Sequence, residues 1–460
     1  MLQIKTQDYE RSRGGRIVAR GCQKSRLPYV GPILIFDKST LESLNPDEAM
    51  WLDQFFLTNI TPLFFVETLA DLEKRARNGP TPEDIVGSLA YRTPDLHSKA
   101  NVYHCSLLEG ELSGQAKVDM KNGRPHIGGG RYVELGGKTG VYFEGSPEEE
   151  AMMRWREHKF LELERMYAKQ WRAGLSNIDL EEIYAHYQMR FAGRPKPKTL
   201  EELKAMADRF IDDPDQQQIL ITGLASIGVT PKFQQEIVSR WYTQGKPPIR
   251  QFAPYFTHVL TVDLVFLFGI GTDLIGRGRP SHKIDIAYLY YLPFCMVFTS
   301  NDRLHKSLAP LFMRPDQSFV SGAELKADFV KLDAHYDTLS PEDKARGVYS
   351  FAHSPPQDTS FLITRIWDKH MSPRWRERKA PTPQPNSSLG KEFAQKIKEL
   401  EEKAKTEWKS YPTQRGEADQ IVIKRMVAGT RGKWTRFPPE VMNRQKNSEG
   451  EWEDIPTEER

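Results

Sequence analysis

The sequence predicts an α/β protein in which a central parallel sheet lies between layers of helices. Three apolar runs of strand length support this prediction: PILIF at residues 32–36, PLFFV at 62–66 and FCMVF at 294–298. Continuous apolar runs are typical of strands that are buried on both faces, as in a parallel sheet covered by helices. Helical patterns lie between these runs, so that strands and helices alternate, as they do in layered α/β folds.

The first predicted helix follows the first strand and begins at a clear capping sequence. Asn45 is a suitable N-cap, Pro46 occupies the first helical position and Glu48 completes a capping box. A second helical segment follows the run at residues 62–66 and begins at Glu67. The two strand–helix pairs give the order β-α-β-α.

Composition excludes several classes of protein. The chain is 38% hydrophobic and 28% charged, so we expect hydrophobic cores and neither a collagen-like nor a fully disordered chain. The three cysteines, Cys22, Cys105 and Cys295, are far apart and form no CxxC pair, which argues against a zinc ribbon or a disulfide framework. The formal net charge of +3 does not by itself indicate a nucleic-acid partner, although both ends of the chain are basic.

The most apolar stretch, at residues 259–275, is predicted to be a buried helix. Asp263 and Asp273 lie within it, and charged residues at such depths are costly in a membrane span. The N-terminus has no apolar segment of the kind found in secretory signals. We therefore expect a cytoplasmic protein without a membrane partner.

Changes in composition and periodicity divide the chain into six segments. We expect a basic leader, the first part of the core, an insert with a small β-rich piece followed by helices, the second part of the core, a C-terminal segment packed on the core, and a linker with a basic tail. Their bounds are residues 1–30, 31–78, 79–253, 254–345, 346–372 and 373–460, respectively.

Four carboxylates occur at the ends of predicted elements. Asp37 follows the first strand, Glu67 lies at a strand–helix junction, Asp285 opens a helix and Asp302 follows the last strand. In an open parallel sheet, ligands bind outside the carboxyl ends of the strands. Clustered carboxylates repel one another unless a cation neutralises them, and oxygen ligands of this kind suit Mg²⁺ or Mn²⁺. The pattern predicts a divalent-metal site, although each acid alone could be a helix cap or a solvated turn residue.

These pieces, ILIFD, TPLFFVETLADLEK and DIAYLYYLPFCMVFTSND, resemble the PIN-domain nucleases. The resemblance covers residues 30–78 and 255–335 and implies a PIN-like three-layer α/β/α fold with a central parallel sheet, here interrupted by a mostly helical insert. It also implies that Asp37, Glu67, Asp285 and Asp302 are catalytic metal ligands for Mg²⁺ or Mn²⁺. The hydroxyl of the closing turn falls on Ser300, which would assist at the metal. The departure is the separation of Glu67 and Asp285 by 218 residues, since compact members join these elements directly.

Two other motifs were weighed against this resemblance. The segment FDKST at residues 36–40 is similar to the strand end of haloacid-dehalogenase-type phosphatases, but Ser39 replaces their second aspartate, which acts as the general acid. The glycine-rich stretch at residues 128–139 is similar to a P-loop, but its glycines are wrongly spaced and the alternation from Tyr132 to Leu135 favours a hairpin strand.

Basic residues provide candidate contacts to a nucleic-acid backbone. Lys38, His282, Lys283, Arg303 and His305 lie near the acids in the sequence, and ordinary surface charge is an equally good explanation for them. In the tail, the aromatic-interleaved motifs around Arg374 and Arg376 and around Lys433 and Arg436 suggest stacking on unpaired bases, although a solvated tail is the alternative.

The prediction is therefore a metal-dependent endonuclease, with RNA favoured over DNA by the resemblance alone. We expect the insert to narrow access to the metal site and the basic tail to add salt-dependent affinity for nucleic acid. The alternative is a non-catalytic nucleic-acid-binding or scaffold protein built on a degenerate nuclease core. The natural substrate, a protein partner and a homo-oligomeric state stay open.

Overall fold

The architecture is that of a computed structural model of the chain. It describes residues 31–76, 79–127, 130–135, 138–143, 147–176, 180–191, 193, 195–276, 281–377, 420–423, 427–438, 444–446 and 452–454. The predicted basic leader and most of the predicted linker lie outside these residues.

The strands carry the labels used below. They are β1 (Ile33–Phe36), β2 (Leu57–Ile60), β3 (Ser98–Ala100), β4 (Gly130–Leu135), β5 (Lys138–Phe143), β6 (Val297–Ser300), β7 (Ser318–Ser321), β8 (Gln420–Ile423), β9 (Thr430–Arg431), β10 (Trp434–Thr435), β11 (Arg444–Lys446) and β12 (Trp452–Asp454).

The helices are numbered in the same way. They are α1 (Lys38–Ser43), α2 (Pro46–Phe55), α3 (Pro62–Ala76), α4 (Pro82–Arg92), α5 (His104–Ser113), α6 (Pro147–Arg156), α7 (Glu162–Ser176), α8 (Leu180–Phe191), α9 (Leu200–Ile211), α10 (Gln216–Ser226), α11 (Pro231–Thr243), α12 (Ile249–Phe252), α13 (Pro254–Gly271), α14 (His282–Ala287), α15 (Arg303–Phe312), α16 (Gly322–Asp337), α17 (Pro341–Ala345), α18 (Val348–Phe351) and α19 (Leu362–His370), with 3₁₀ helices at Tyr288–Phe294 and Pro373–Glu377.

A five-stranded sheet in the order β3-β2-β1-β6-β7 forms the centre, and all neighbouring strands in it are parallel. The side chains of β1 alternate between two hydrophobic cores. Ile33 and Ile35 pack in a core with α5, α9, α13 and α15, whereas Leu34 and Phe36 pack in a core with α2, α16 and α19. Helices therefore cover both faces of the sheet, which confirms the predicted α/β class and the buried parallel sheet.

The strand predicted at residues 62–66 is wrong. The second strand is β2, and α3 begins at Pro62. Proline has no N–H to give to a sheet ladder but is well accepted in the first turn of a helix, so the apolar residues after it extend a helix that reaches both cores. Glu67 consequently lies inside α3 and not at a strand–helix junction.

The core sheet also extends into the segment that was predicted to be an insert. β3 pairs with β2 through Ser98–Ala100, which lies within residues 79–253. Helices of the same segment do not form a separate core, because Leu203 and Ile237 pack in the same core as Ile33 and Ile35. Residues 79–253 are thus partly a component of the central fold.

The predicted hairpin strand at Tyr132–Leu135 is confirmed. β4 and β5 pair in an antiparallel arrangement, with Glu134 opposite Thr139. A P-loop would begin a helix at its Gly-Lys-Thr residues, but here Lys138 begins a strand, so the P-loop alternative is excluded.

Helix α13 corresponds to the predicted buried helix, with bounds shifted from 259–275 to Pro254–Gly271. Among the described residues it is the one helix that is long and apolar enough to cross a membrane, and 78% of its apolar window is buried inside the protein. Such burial is the environment that we predicted for it.

Part of the predicted tail is built into the protein interior. Arg436 is fully buried, and its Nη2 lies 2.9 Å from both Asp53 Oδ2 and Asp95 Oδ1. Arg431, equally buried, donates to the Thr93 carbonyl at 2.9 Å. Although burial opposes ionisation, these two guanidinium groups hold the pKa of Asp53 well below its usual range. Because Arg436 has no access to solvent, its predicted contact with nucleic acid is wrong.

We expect Arg436→Met to lower the free energy of unfolding by about 3–5 kcal/mol, because the change leaves buried carboxylates without a counter-charge. Lys433→Ala is the matched control in the same hairpin, since Lys433 is 41% exposed in its side chain and pairs with Asp333 and Asp337. Its loss should cost less than about 1 kcal/mol. Urea denaturation measures the free energy of unfolding of both variants. If both changes lower it by less than about 1 kcal/mol, the hairpin does not belong to the core.

Candidate active site

The site lies where the strand order of the sheet reverses. From β1 the chain runs to β2 and β3 on one side, whereas β6 and β7 lie on the other side. The carboxyl ends of the two central strands flank this position, which is where open α/β sheets bind ligands. Asp37 follows β1, its backbone N–H donates to the Thr299 carbonyl of β6 at 3.2 Å, and Ser300 ends β6. The pairing of two strands therefore brings Asp37 and Ser300 together.

Asp37 is fixed by four partners and is only 4% exposed. Its Oδ1 accepts the Thr40 N–H at 2.9 Å, so it caps the N-terminus of α1. Its Oδ2 accepts the hydroxyls of Ser39 and Ser300, each at 2.7 Å, and lies 3.6 Å from His305 Nδ1. The N-terminus of α1 and the carboxyl ends of β1 and β6 thus fix the position of the Asp37 carboxylate.

Asp302 is held in a similar way by the next helix. It caps α15, accepting the N–H groups of Leu304 at 2.7 Å and His305 at 3.4 Å. Its own N–H donates to Ser300 Oγ at 2.9 Å. The Ser300 hydroxyl therefore connects the carboxylate of Asp37 to the backbone of Asp302.

His305 is a central residue of the site that the sequence reasoning treated only as a possible phosphate contact. It is 1% exposed, its Nδ1 lies 2.8 Å from Ser300 Oγ, and its Nε2 lies 2.5 Å from the Asp285 carbonyl. Burial alone would lower its pKa, but the hydrogen bond and charge of Asp37 raise the pKa of His305 to about 9. The resulting imidazolium donates to Ser300 and to Asp285. Its spacing of three residues from the helix-capping Asp302 was the one signal that could have found it.

The same imidazolium sets the ionisation of Asp37. Burial would raise the pKa of Asp37, but His305, Ser300 and Ser39 outweigh it and lower that pKa below its ordinary value. Asp37 is therefore ionised at neutral pH in spite of its burial.

Glu67 projects from α3 toward the same region. Tyr288, a buried residue of the 3₁₀ helix, donates its hydroxyl to Glu67 Oε2 at 2.8 Å. Burial raises the pKa of Glu67 to about 7, and the charges of Asp37 and Asp285 add to this effect although Lys38 and Tyr288 oppose it. Tyr288 is a second residue that the sequence reasoning missed, and nothing in the spacing indicates that its hydroxyl reaches Glu67.

Asp285 lies in the first turn of α14. Burial raises its pKa to about 7, and the charges of Asp302, Asp37 and Asp71 contribute, whereas His305 opposes the rise. Glu67 and Asp285 thus each respond to the charge of the other acids. The structure gathers the four predicted acids into one electrostatic environment.

The acids are close enough to repel, but they are not yet arranged as a chelating group. In the described part of the chain, no three His, Cys, Asp or Glu side chains are placed to bind one metal ion. The donor set consists of oxygen atoms, as Mg²⁺ and Mn²⁺ require. Among the described residues Asp285 and Asp302 form no ion pair with Lys, Arg or His, so a divalent cation suits the chemistry beside them and Asp37. Binding requires these side chains to move closer together.

Lys38, predicted to contact nucleic acid, is instead buried. Its side chain is 3% exposed and its ammonium group forms an ion pair with Asp71, lies 3.7 Å from Glu67 Oε1 and lies 4.0 Å from Glu42 Oε1. The predicted contact is wrong because a buried, fully paired ammonium cannot reach a phosphate in solvent.

The remaining basic candidates differ in their exposure. Arg303 and Arg374 are exposed. The other three form ion pairs: Lys283 with Asp263, Arg376 with Asp368, and Lys433 with Asp333 and Asp337. Among these candidates, Arg303 is exposed and is adjacent to Asp302.

Comparisons with protein-family models, with curated proteins and with solved structures found no match for this chain. The PIN-like family and the nuclease activity therefore stay predictions.

We expect His305→Gln to remove a pH-dependent part of the stability in metal-free buffer. A histidine whose pKa rises from 6.5 to about 9 on folding stabilises the protein fully below pH 6.5, and this contribution disappears as the pH rises through 9. The difference from wild type should be about 3 kcal/mol larger at pH 6 than at pH 9.5.

The matched control is His258→Gln, because burial lowers the pKa of His258 to about 4 and its Nε2 contacts the Leu289 carbonyl at 2.8 Å. Its difference from wild type should change by less than about 1 kcal/mol over that range, and in the opposite direction, because the unfolded state alone binds a proton at this histidine near pH 6. Urea denaturation at several pH values measures both variants. A pH-independent loss in His305→Gln would show that no buried imidazolium faces Asp37.

Proposed function

We propose that the chain is a metal-dependent nuclease of PIN-like fold that hydrolyses phosphodiester bonds, with RNA as the substrate. The observation that carries the proposal is the convergence of Asp37, Asp285 and Asp302 beside the reversal point of a parallel sheet, with Glu67 facing them. Burial and mutual repulsion raise the pKa of Glu67 and of Asp285 to about 7. A stable fold that retains such a costly group of acids is best explained by a function that uses it.

The ligands of the metal would be Asp37, Asp285 and Asp302, with the Ser300 hydroxyl beside them and Glu67 on the facing helix. When bound, Mg²⁺ or Mn²⁺ would lower the pKa of a water molecule and offset negative charge on the phosphate. Because ligand carboxylates must be ionised, raised pKa values make metal binding release protons near pH 7.

The chain's own residues prepare this region for a cation. His305 keeps Asp37 ionised and ties the backbone of α14 to α15 through the Asp285 carbonyl. Tyr288 orients Glu67, and the N-terminus of α15 orients Asp302. Arg303 is exposed beside Asp302, where its guanidinium can contact a substrate phosphate. The insert, residues 79–253, would narrow the access of a substrate to the same site.

One observation favours the non-catalytic alternative. Lys38 already neutralises part of the charge of Glu67 and Asp71, and His305 already neutralises Asp37. A site whose acids are compensated by the protein can fold without metal, as a scaffold must. The two functions differ in what they predict for Asp285 and Asp302, which form no ion pair with a basic side chain among the described residues.

We expect Asp285→Asn and Asp302→Asn to lower metal-dependent cleavage of a fluorescent single-stranded RNA at least about 100-fold, the loss typical of removing one group that stabilises a transition state. Asparagine caps a helix as well as aspartate does, so Asp302→Asn keeps the start of α15. Asp316→Asn is the control. Asp316 precedes β7 and so lies at the amino ends of the parallel strands, away from their carboxyl ends where the four acids lie, and it pairs with Arg314.

Stability separates a functional acid from a structural one in the same variants. A carboxyl whose pKa rises from 3.8 to about 7 on folding lowers the stability of the folded state progressively above pH 3.8, and this loss is complete above pH 7. Asp285→Asn should therefore be about 1–2 kcal/mol more stable than wild type at pH 8 without metal. Absence of metal-dependent cleavage by the wild type would overturn the nuclease proposal. Full cleavage by Asp285→Asn and Asp302→Asn, or a loss of activity in Asp285→Asn that unfolding alone accounts for, would overturn the assignment of these acids as metal ligands.

A further inference from the structure

A buried ammonium group lies beside the proposed metal site and has no role in the proposed function so far. Lys38 immediately follows Asp37, and its side chain is 3% exposed. Its ammonium group is surrounded by the carboxylates of Glu42 on α1 and of Glu67 and Asp71 on α3, and it also donates to the Glu67 carbonyl at 3.5 Å. Burial of a lysine is costly unless carboxylates compensate it, as they do here.

The two buried basic side chains of this region, His305 and Lys38, contact different groups of acids. His305 faces Asp37 and hydrogen-bonds the backbone of Asp285, whereas Lys38 serves the acids of α1 and α3. Asp285 and Asp302 belong to neither group, because among the described residues they form no ion pair with a basic side chain. The ammonium group of Lys38 thus pairs with acids on the Glu67 side of the site, whereas the carboxylates of Asp285 and Asp302 have no basic side chain of the described residues within ion-pair distance.

We propose, on the basis of the proposed function, that Lys38 is a fixed cation that takes the place of a second metal ion, so that the site binds one divalent cation. That ion would be held at Asp37, Asp285 and Asp302. Lys38 supplies the positive charge on the other side, next to Glu67 and Asp71. A permanent ammonium group within ion-pair distance of Glu67 repels a second divalent cation and occupies the carboxylate oxygens that would hold it.

Lysine suits this role better than a second metal for a geometric reason. The backbone of Lys38 is fixed in the first turn of α1, and Asp37 caps this helix. The N-terminus of α1 therefore fixes the positions of both the ammonium-bearing residue and the proposed metal ligand. The charge beside Glu67 is then present at any metal concentration. Only the Asp285 side of the site responds to the supply of divalent ions.

The test counts Mn²⁺ ions bound per chain at pH 8, by titration calorimetry and by the loss of the free Mn²⁺ signal in electron paramagnetic resonance. Wild type should bind one ion, and Lys38→Met, which keeps the length of the side chain without its charge, should bind two. Lys38→Arg keeps the charge and should bind one. Lys99→Met is the matched control, because Lys99 is also buried and pairs with Glu149 at 2.9 Å, and it should bind one.

Each result has a distinct meaning. Two ions in wild type, or one ion in Lys38→Met, overturns the role of Lys38 and leaves the nuclease proposal standing. Binding of no ion by wild type, together with absent cleavage, overturns the nuclease proposal itself. The count thus separates the two claims.

Lys38→Met leaves three carboxylates without their cation, so its folding is measured as well. If it does not fold in metal-free buffer, Mn²⁺ should restore the fold and NaCl of equal ionic strength should not. Failure of Mn²⁺ to restore it overturns the inference. Lys99→Met should gain no such metal dependence.

Discussion

The parallel pairing of β1 with β6 is the interaction on which the rest of the site depends. These strands are separated by about 260 residues in the chain, yet Leu34, Ile35 and Phe36 align with Val297, Phe298 and Thr299. The pairing buries β1 between two cores and places the residues that follow each strand side by side. A shift of register by one residue would exchange the two faces of β1 and move Asp37 away from Ser300. The cores therefore stabilise the site as well as the fold.

The charge distribution at this edge is uneven, and that unevenness is what suggests a function. The imidazolium of His305 keeps one acid ionised, whereas burial and neighbouring acids raise the pKa of Glu67 and Asp285 to about 7. Glu67 and Asp285 are therefore largely protonated in weakly acidic solution and lose their protons in weakly basic solution, so the site becomes more negative over this interval. Its affinity for a divalent cation should rise across the same interval, because ligands must lose their protons before they bind. Lys38 thus pairs with Glu67 and Asp71 and His305 faces Asp37, whereas Asp285 and Asp302 form no ion pair with a basic side chain among the described residues.

Part of this arrangement could be predicted from the sequence, and the physical reason is local in each case. The apolar run of β1 before Asp37 and the run at residues 294–298 predicted two strands of the sheet and its acidic edge, because both signals depend on residues next to one another. The second of these strands is shifted in the structure to Val297–Ser300, since Phe294 still belongs to the 3₁₀ helix. The run after Pro62 was misassigned because five apolar residues fit a helix as well as a strand. β3 was missed because Ser98, Lys99 and Ala100 have no strand pattern. His305, Tyr288 and Arg436 act on residues far away in the chain, so their roles became visible only when the fold had brought their partners to them.

The most direct test of the central claim is a crystal structure of the protein grown at pH 8 and soaked in Mn²⁺, with anomalous diffraction recorded at the manganese edge. The account predicts one anomalous peak among the carboxylates of Asp37, Asp285 and Asp302, with Lys38 still paired with Glu67 and Asp71. Absence of any peak, together with unchanged distances from the Asp37 carboxylate to those of Asp285 and Asp302, would contradict the account.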